Sequence, residues 1–145
     1  MNDKEDPIMN EYMNLLIRNA AGDYFMQFRD GNAGIPEPLR WAFFGGGVEG
    51  DESATECAAR EMEEELGIKT SPDDFRVIDM VEWDDIGARI FLVEYKHPIE
   101  WGDFILDEGA GCGFFTATEL DGLHKTYDSH YWIRKNRRLF KDNND

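Results

Sequence analysis

The sequence has few cysteines and no long apolar run. Two cysteines in 145 residues are too few for a disulfide framework, and this scarcity favours a reducing compartment, so we expect a cytoplasmic protein. The first residues are polar and acidic, and no segment reaches the ~18 apolar residues of a membrane span. We therefore expect neither a signal peptide nor a membrane partner.

Basic residues are also scarce. Fifteen Lys and Arg stand against 31 Asp and Glu, which gives a formal net charge of −16. Such a surface repels phosphate backbones, so we expect no nucleic-acid polymer as a partner. A small anionic substrate would need a local reversal of this field, and a bound divalent cation is the obvious candidate. Solubility alone is the alternative explanation of the excess charge.

The order of apolar segments and turns predicts one α+β domain over residues 1–145, with residues 1–8 as a flexible tail. Strands are expected at 12–18, 24–28, 41–44 and 114–115, and a hairpin is expected from 75–83 and 88–95. A short helix or turn is expected at 118–123 and a helix at 127–141. This order favours a sandwich in which a mixed sheet is covered by few helices.

The strongest helix signal covers residues 54–66. Ser53 is an N-cap candidate, and Glu56 follows three residues later, which is the capping-box pattern. Gly67 is the expected C-cap.

Three glutamates share one face of this helix. At about 100° per residue, Glu61, Glu64 and Glu65 fall within roughly 100° of arc, beside an apolar stripe. Carboxylates and backbone carbonyls are the ligands that Mg²⁺ or Mn²⁺ takes, so a cation would relieve their repulsion. A solvated acidic face is the alternative. The preceding glycines 45–47 expose backbone groups to a ligand or simply form a tight turn.

The segment 46–68 resembles the Nudix box, G-x5-E-x7-R-E-U-x-E-E-x-G-U with U a bulky apolar residue, which is the signature of the Nudix hydrolases. Every defined position is filled, without insertion or gap, by Gly46, Glu52, Arg60, Glu61, Met62, Glu64, Glu65, Gly67 and Ile68. The resemblance implies a Nudix fold, an α/β/α sandwich with a mixed β-sheet between helices.

The resemblance also implies a Mg²⁺ site, with Mn²⁺ as a possible substitute. Its expected ligands are the Gly45 carbonyl and the carboxylates of Glu61, Glu64, Glu65 and Glu108. Glu108 enters because its Glu-Gly segment is similar to one that supplies a carboxylate in MutT-like members. The catalytic base is expected among Glu61, Glu64 and Glu108.

Other residues are expected to support the site. By the resemblance, Arg60 and Glu52 form a salt bridge that orients the box, and Gly46 and Gly67 are structural. Arg29 follows a strand, as does an arginine that meets the nucleotide in MutT-like members, although a surface arginine is the alternative.

The implied reaction is hydrolysis of the pyrophosphate link of a nucleoside diphosphate joined to another group. A (d)NTP or oxidised dNTP, cleaved to NMP and pyrophosphate, is the first expectation, and a nucleotide sugar is the second. A non-catalytic nucleotide-sensing module and an acidic metal-binding protein without substrate are alternatives of another class. A homodimer is possible by analogy with the family.

Overall fold

The computed structural model describes residues 9–31, 37–106 and 111–142. Within these ranges the chain forms seven strands, three α-helices and a 3-10 turn at Pro72–Asp74. The strands are β1 (Asn10–Leu16), β2 (Tyr24–Phe28), β3 (Trp41–Ala42), β4 (Phe44–Gly47), β5 (Phe75–Trp83), β6 (Ala88–Tyr95) and β7 (Gly111–Phe115), and the helices are α1 (Ala54–Leu66), α2 (Ala117–Asp121) and α3 (Tyr127–Lys135).

The strands form a four-stranded and a three-stranded sheet. The larger sheet has the order β4-β1-β6-β5 and is mixed, because β1 runs parallel to β6 but antiparallel to β4. The smaller sheet has the order β3-β2-β7 and is antiparallel. The expected mixed sheet is therefore confirmed.

Alternate residues of β1 point to two separate cores, as the period of a strand requires. Met13 and Leu15 pack in the core that contains Met62 of α1, whereas Leu16 packs in the core that contains Trp132 of α3. Helices thus cover both faces of the mixed sheet. This arrangement confirms the α+β fold with a mixed sheet between helices.

Helix α1 has the predicted bounds and caps. The Ser53 hydroxyl accepts a hydrogen bond from the Glu56 backbone N–H at 3.1 Å, and the Glu56 carboxylate accepts one from the Ser53 N–H at 2.8 Å. Gly67 ends the helix in the left-handed region with φ of 70°. The hairpin of β5 and β6 is confirmed as well.

The single strand predicted at 41–44 is wrong. Its residues form two short strands in different sheets, since β3 pairs with β2 and β4 pairs with β1. Phe43 is buried in the core beneath α3, and Phe44 is buried in the core beneath α1. A continuous apolar run cannot reveal this crossing, because both sheets bury their residues.

The predicted helix at 127–141 is too long. Helix α3 ends at Lys135, and the Asn136 side chain caps it by donating a hydrogen bond to the Trp132 carbonyl at 3.2 Å. The chain then turns so that Phe140 packs against Tyr24, with ring centroids 5.1 Å apart. Strand β7 begins at Gly111, three residues before the predicted start. No described helix has the length and apolar character needed to cross a membrane.

Candidate active site

Arg60 lies at the centre of a polar cluster on the exposed side of α1. Its Nε and Nη2 atoms donate to the two carboxylate oxygens of Glu52 at 3.1 and 2.7 Å. Its Nη1 donates to Glu61 at 3.0 Å and to Glu64 at 3.1 Å, and Nη2 also donates to the Gly47 carbonyl at 2.9 Å. One guanidinium therefore joins the loop before the helix, the helix itself and the end of β4.

The cluster shifts the pKa values of its members. The hydrogen bonds from Arg60 lower the pKa of Glu52 from 4.5 to about 2, against the opposing effect of burial. The same ion pair raises the pKa of the Arg60 guanidinium. Both groups are therefore charged throughout the neutral range, so the ion pair is present at the pH where most enzymes work.

Glu61 is the most buried carboxylate of the cluster, with 9% of its surface exposed. Burial raises its pKa above 4.5, while the side-chain hydrogen bond with Glu65 and the charge of Arg60 oppose this shift. Burial therefore disfavours the negatively charged form of Glu61. A cation beside Glu61 would offset that penalty, because an opposite charge favours the ionised carboxylate. The Glu64 side chain is in contrast 57% exposed.

The glycines before the box bring the backbone against Glu61. A Cβ atom at Gly46 would lie 2.3 Å from the Glu61 carboxylate oxygen, and one at Gly45 would lie 2.0 Å from the Met13 carbonyl oxygen. At Gly47 the nearest atom would be 4.0 Å away. Two of the three glycines are therefore required for close approach, and Gly46 is the one that touches the carboxylate cluster.

The donors near Gly46 suit a hard divalent cation. The Glu61 carboxylate, its neighbour Glu65 and the adjacent glycine backbone supply only oxygen atoms, which Mg²⁺ and Mn²⁺ prefer. Among the residues that the structure describes, no three His, Cys, Asp or Glu side chains converge as a ready metal site. Glu64 is turned towards Arg60, and its exposure leaves it room to turn back. Glu108 lies outside the described residues.

A cavity of about 520 Å³ borders the same glycines. Its walls come from β1, β2, β4, the β5–β6 turn and the first turn of α3, and both Gly45 and Gly46 line it. Arg29 lines it too, and the Arg29 Nε is buried without a hydrogen-bond partner. The predicted substrate residue therefore lies in a cavity that adjoins the carboxylate cluster.

Several polar residues of this cavity were not predicted from the sequence, Asn14 and Asp128 among them. They are 114 positions apart, and only the packing of α3 on β1 brings them to the same cavity. The signal for Asn14 was a polar residue within the apolar run of residues 13–17. For Asp128 no local pattern existed, because an acidic residue in the first turn of a helix is ordinary.

Comparison with known proteins gives the family. The model of the NUDIX domain matches residues 12–131. A comparison with curated proteins gives no match. The structure is similar to the MutT protein from Methanosarcina mazei Go1, with a TM-score of 0.72 and 23% identity over 95% of this chain and 100% of that one.

Two further solved structures share the fold. The MutT protein studied from Aliivibrio salmonicida and Vibrio cholerae gives a TM-score of 0.71 at 19% identity, covering 91% of this chain and 97% of that one. A bifunctional NMN adenylyltransferase/ADP ribose pyrophosphatase from Francisella tularensis gives 0.67 at 15% identity, covering 93% of this chain and 43% of that one. With the NUDIX domain matched over most of its length, the chain belongs to the Nudix hydrolase family, and it shares the fold of the MutT proteins.

Proposed function

We propose that this protein is a Mg²⁺-dependent hydrolase that cleaves the pyrophosphate link of a nucleoside triphosphate. A (d)NTP or oxidised dNTP would give NMP and pyrophosphate. The observation that carries the proposal concerns Gly45 and Gly46. Both glycines line a cavity of about 520 Å³, and Gly46 also lies against the Glu61 carboxylate, so the two form a border between the cavity and the carboxylate cluster. A substrate with its base in the cavity can thus extend its phosphates to the carboxylates.

The proposed metal ligands are the Gly45 carbonyl with Glu61, Glu64, Glu65 and Glu108. When bound there, Mg²⁺, or Mn²⁺ in its place, neutralises phosphate oxygens and helps water to act as a nucleophile near neutral pH. Of the described candidates for the base, Glu64 is the one that reaches solvent, with 57% of its side chain exposed. We assign it the proton of the attacking water, a role that requires it to turn from Arg60.

Arg60 and Glu52 act as positioning residues in this proposal. Their two-point ion pair and the bond from Arg60 to the Gly47 carbonyl fix α1 relative to β4. Bidentate pairs of this kind restrict geometry as well as supplying energy. A small displacement of the carboxylates would be costly, because catalysis of phosphate transfer depends chiefly on positioning.

Arg29 is the cavity residue that we propose contacts the substrate. It has no ion pair among the described residues, and its buried Nε lacks a hydrogen-bond partner. Leaving a buried charged donor unsatisfied is costly, so an anionic ligand would be stabilised beside it. Phosphate oxygens are the acceptors that a guanidinium matches best.

A product screen tests the proposed function. The protein is incubated with Mg²⁺ and a panel of nucleoside triphosphates, oxidised dGTP, nucleotide sugars and dinucleoside polyphosphates, and the products are identified by mass spectrometry. The proposal predicts NMP and pyrophosphate, with turnover lost on adding EDTA. If the products were NMP and a sugar phosphate, the protein would instead be a nucleotide-sugar hydrolase. If nucleotides bound without turnover, the protein would instead be the non-catalytic sensing module.

A further inference from the structure

A second cavity, of about 650 Å³, lies at the end of β1 that is far from the carboxylate cluster. Its walls come from the turn after β1, the end of β6 and the start of β5, and they share no described residue with the cavity that borders Gly46. Gly46 pairs with Met13, and Arg18 lies five positions further along the chain, about 16 Å away at the rise of a strand. The two cavities are therefore separate sites.

The walls of this second cavity are basic, although the chain has a formal net charge of −16. Arg18, Arg76 and Lys96 line it, and Glu94 is the one carboxylate among the described residues of its walls. Arg76 donates a hydrogen bond to Glu94, whereas the Lys96 Nζ donates to the Asp73 backbone carbonyl at 2.8 Å. One carboxylate thus compensates three cations, so the walls retain an excess of positive charge.

The acidic side chains beside the second cavity already accept hydrogen bonds from other groups. Asp74 lies 3.0 Å from the His97 Nε2 and accepts from the Ser71 backbone N–H at 2.9 Å. Glu100 accepts from the Ala20 backbone N–H at 2.8 Å. The charges of these two carboxylates reduce the positive potential, but the carboxylates accept none of the hydrogen bonds that the three cations can donate.

Arg18 has the fewest partners of the three cations. Its side chain is 33% exposed, yet its Nε and Nη2 atoms are buried without a hydrogen-bond partner among the described residues. The Nη2 lies 3.9 Å from a Glu94 carboxylate oxygen, which is beyond hydrogen-bond distance. The guanidinium lies over the Tyr24 ring, 4.9 Å from its centroid, so this contact occupies a face and not an edge. The edge formed by Nε and Nη2 therefore lacks an acceptor, which is costly for a buried charged group.

We propose that the second cavity binds a phosphate group, an inference that does not rest on the proposed hydrolysis. The Nε and Nη2 of Arg18 lie on one edge of a planar guanidinium, which matches two oxygens of a phosphate. Arg76 and Lys96 are exposed in the same walls and supply further positive charge. A bound phosphate satisfies the unpartnered edge and neutralises the excess charge. The volume of about 650 Å³ leaves room for an organic part of the ligand.

The test is a titration of the metal-free protein with inorganic phosphate, followed by NMR at the Arg18 Nε–H. EDTA removes divalent cations, so the glutamates of α1 repel phosphate and do not compete for it. The ionic strength is held at about 0.15 M with NaCl, which screens weak surface attraction. A saturable downfield shift of the Nε–H signal is expected, because this proton gains a charged acceptor. A signal that does not move, or that moves equally with added NaCl, would overturn the proposal.

Two variants test which side chains bind the phosphate. Arg18→Lys keeps a cation beside Glu94 but lacks the planar edge, so the phosphate affinity measured by calorimetry should fall about tenfold. Lys96→Gln changes an exposed residue, keeps the Arg18 signal and should weaken the NMR-derived affinity about threefold. Arg138→Gln, on the exposed C-terminal segment, is the matched control and should leave the affinity unchanged. If both cavity variants bound phosphate as tightly as wild type, the cavity would not be the site.

Two further ligands identify the source of the phosphate group. Pyrophosphate and dAMP are titrated under the same conditions and followed at the same Nε–H. Tighter binding of pyrophosphate supports a site for free phosphates, and tighter binding of dAMP supports a site for a phosphate ester whose organic part fills the remaining volume. If none of the three ligands shifts the signal while nucleotides are turned over in the product screen, the hydrolysis is retained and the phosphate site is rejected.

Discussion

Two arginines near the glycine border have opposite surroundings. Arg60 donates to three carboxylates and a backbone carbonyl, whereas Arg29 has no ion pair among the described residues and a buried Nε without a partner. The hydrogen bonds of Arg60 are thus used within the protein, whereas the Nε of Arg29 is buried without one. Residue type alone therefore does not separate a positioning arginine from a binding one; the partners do.

The regions around these arginines differ in the same way. The cluster on α1 gathers Glu52, Glu61 and Glu64 around one guanidinium, so it carries excess negative charge and favours a cation. The cavity instead has single polar side chains in its walls, among them Asn14, Arg29 and Asp128. In the proposed function the first region holds the metal and the phosphates, and the second holds the base.

The largest effect is expected from Glu64→Gln. Loss of the proposed base and metal ligand should lower kcat by about 10³-fold, as is typical when proton transfer and metal binding are removed. The metal-free protein should melt at about the same temperature, because the reduced like-charge repulsion on α1 is offset by the lost charge beside Arg60. The kcat and the melting temperature of Glu64→Gln are compared with those of Glu63→Gln, a substitution at an exposed neighbour outside the defined positions of the box. Equal activity of the two variants would remove Glu64 from the site.

Gly46→Ala tests whether the border itself is needed. The new Cβ would meet the Glu61 carboxylate at 2.3 Å, so the carboxylate or β4 must move. A displacement of that size should lower kcat/KM by about 100-fold. Gly47→Ala is the matched control, because its Cβ would have no neighbour closer than 4.0 Å. The border has no special role if both variants keep full activity.

Arg60→Ala should lower stability as well as activity. It leaves the partly buried Glu52 without its ion pair, and losing hydrogen bonds between charged groups costs about 3 kcal/mol. In a domain of this size that corresponds to a fall of about 10 °C in melting temperature. Arg138→Ala, on the exposed C-terminal segment, should change the melting temperature little. An active Arg60→Ala protein with normal melting would contradict the positioning role.

The smallest effect is the pH dependence that Glu52 gives to stability. Its folded pKa of about 2 lies below the ordinary value of 4.5, so the unfolded state binds more protons between these values. The stability that the ion pair supplies is full above pH 4.5 and disappears as the pH falls through 2. The melting temperature of wild type should therefore exceed that of Glu52→Gln at neutral pH and converge with it in acid. If the difference in melting temperature stayed constant across this pH range, the ion pair would not be the source of the stability that Glu52 contributes.

The sequence predicted the region around α1 better than the cavity. Ser53, Glu56 and Gly67 act within one helix, and their effects follow local rules that spacing reveals. Asn14 and Asp128 line one cavity only through tertiary packing, for which the sequence has no periodic pattern. The crossing at Phe43 was missed for the same reason, because buried strands of either sheet have the same composition. The cytoplasmic location and the homodimer stay predictions.

A crystal structure with Mg²⁺ and the α,β-methylene analogue of dGTP tests the central claim most directly. The account predicts one ligand across the Gly45–Gly46 border, with its phosphates and the metal at Glu61 and Glu64, and with its base in the cavity that Arg29 lines. A nucleotide bound outside this cavity, or a metal bound away from α1, would contradict it.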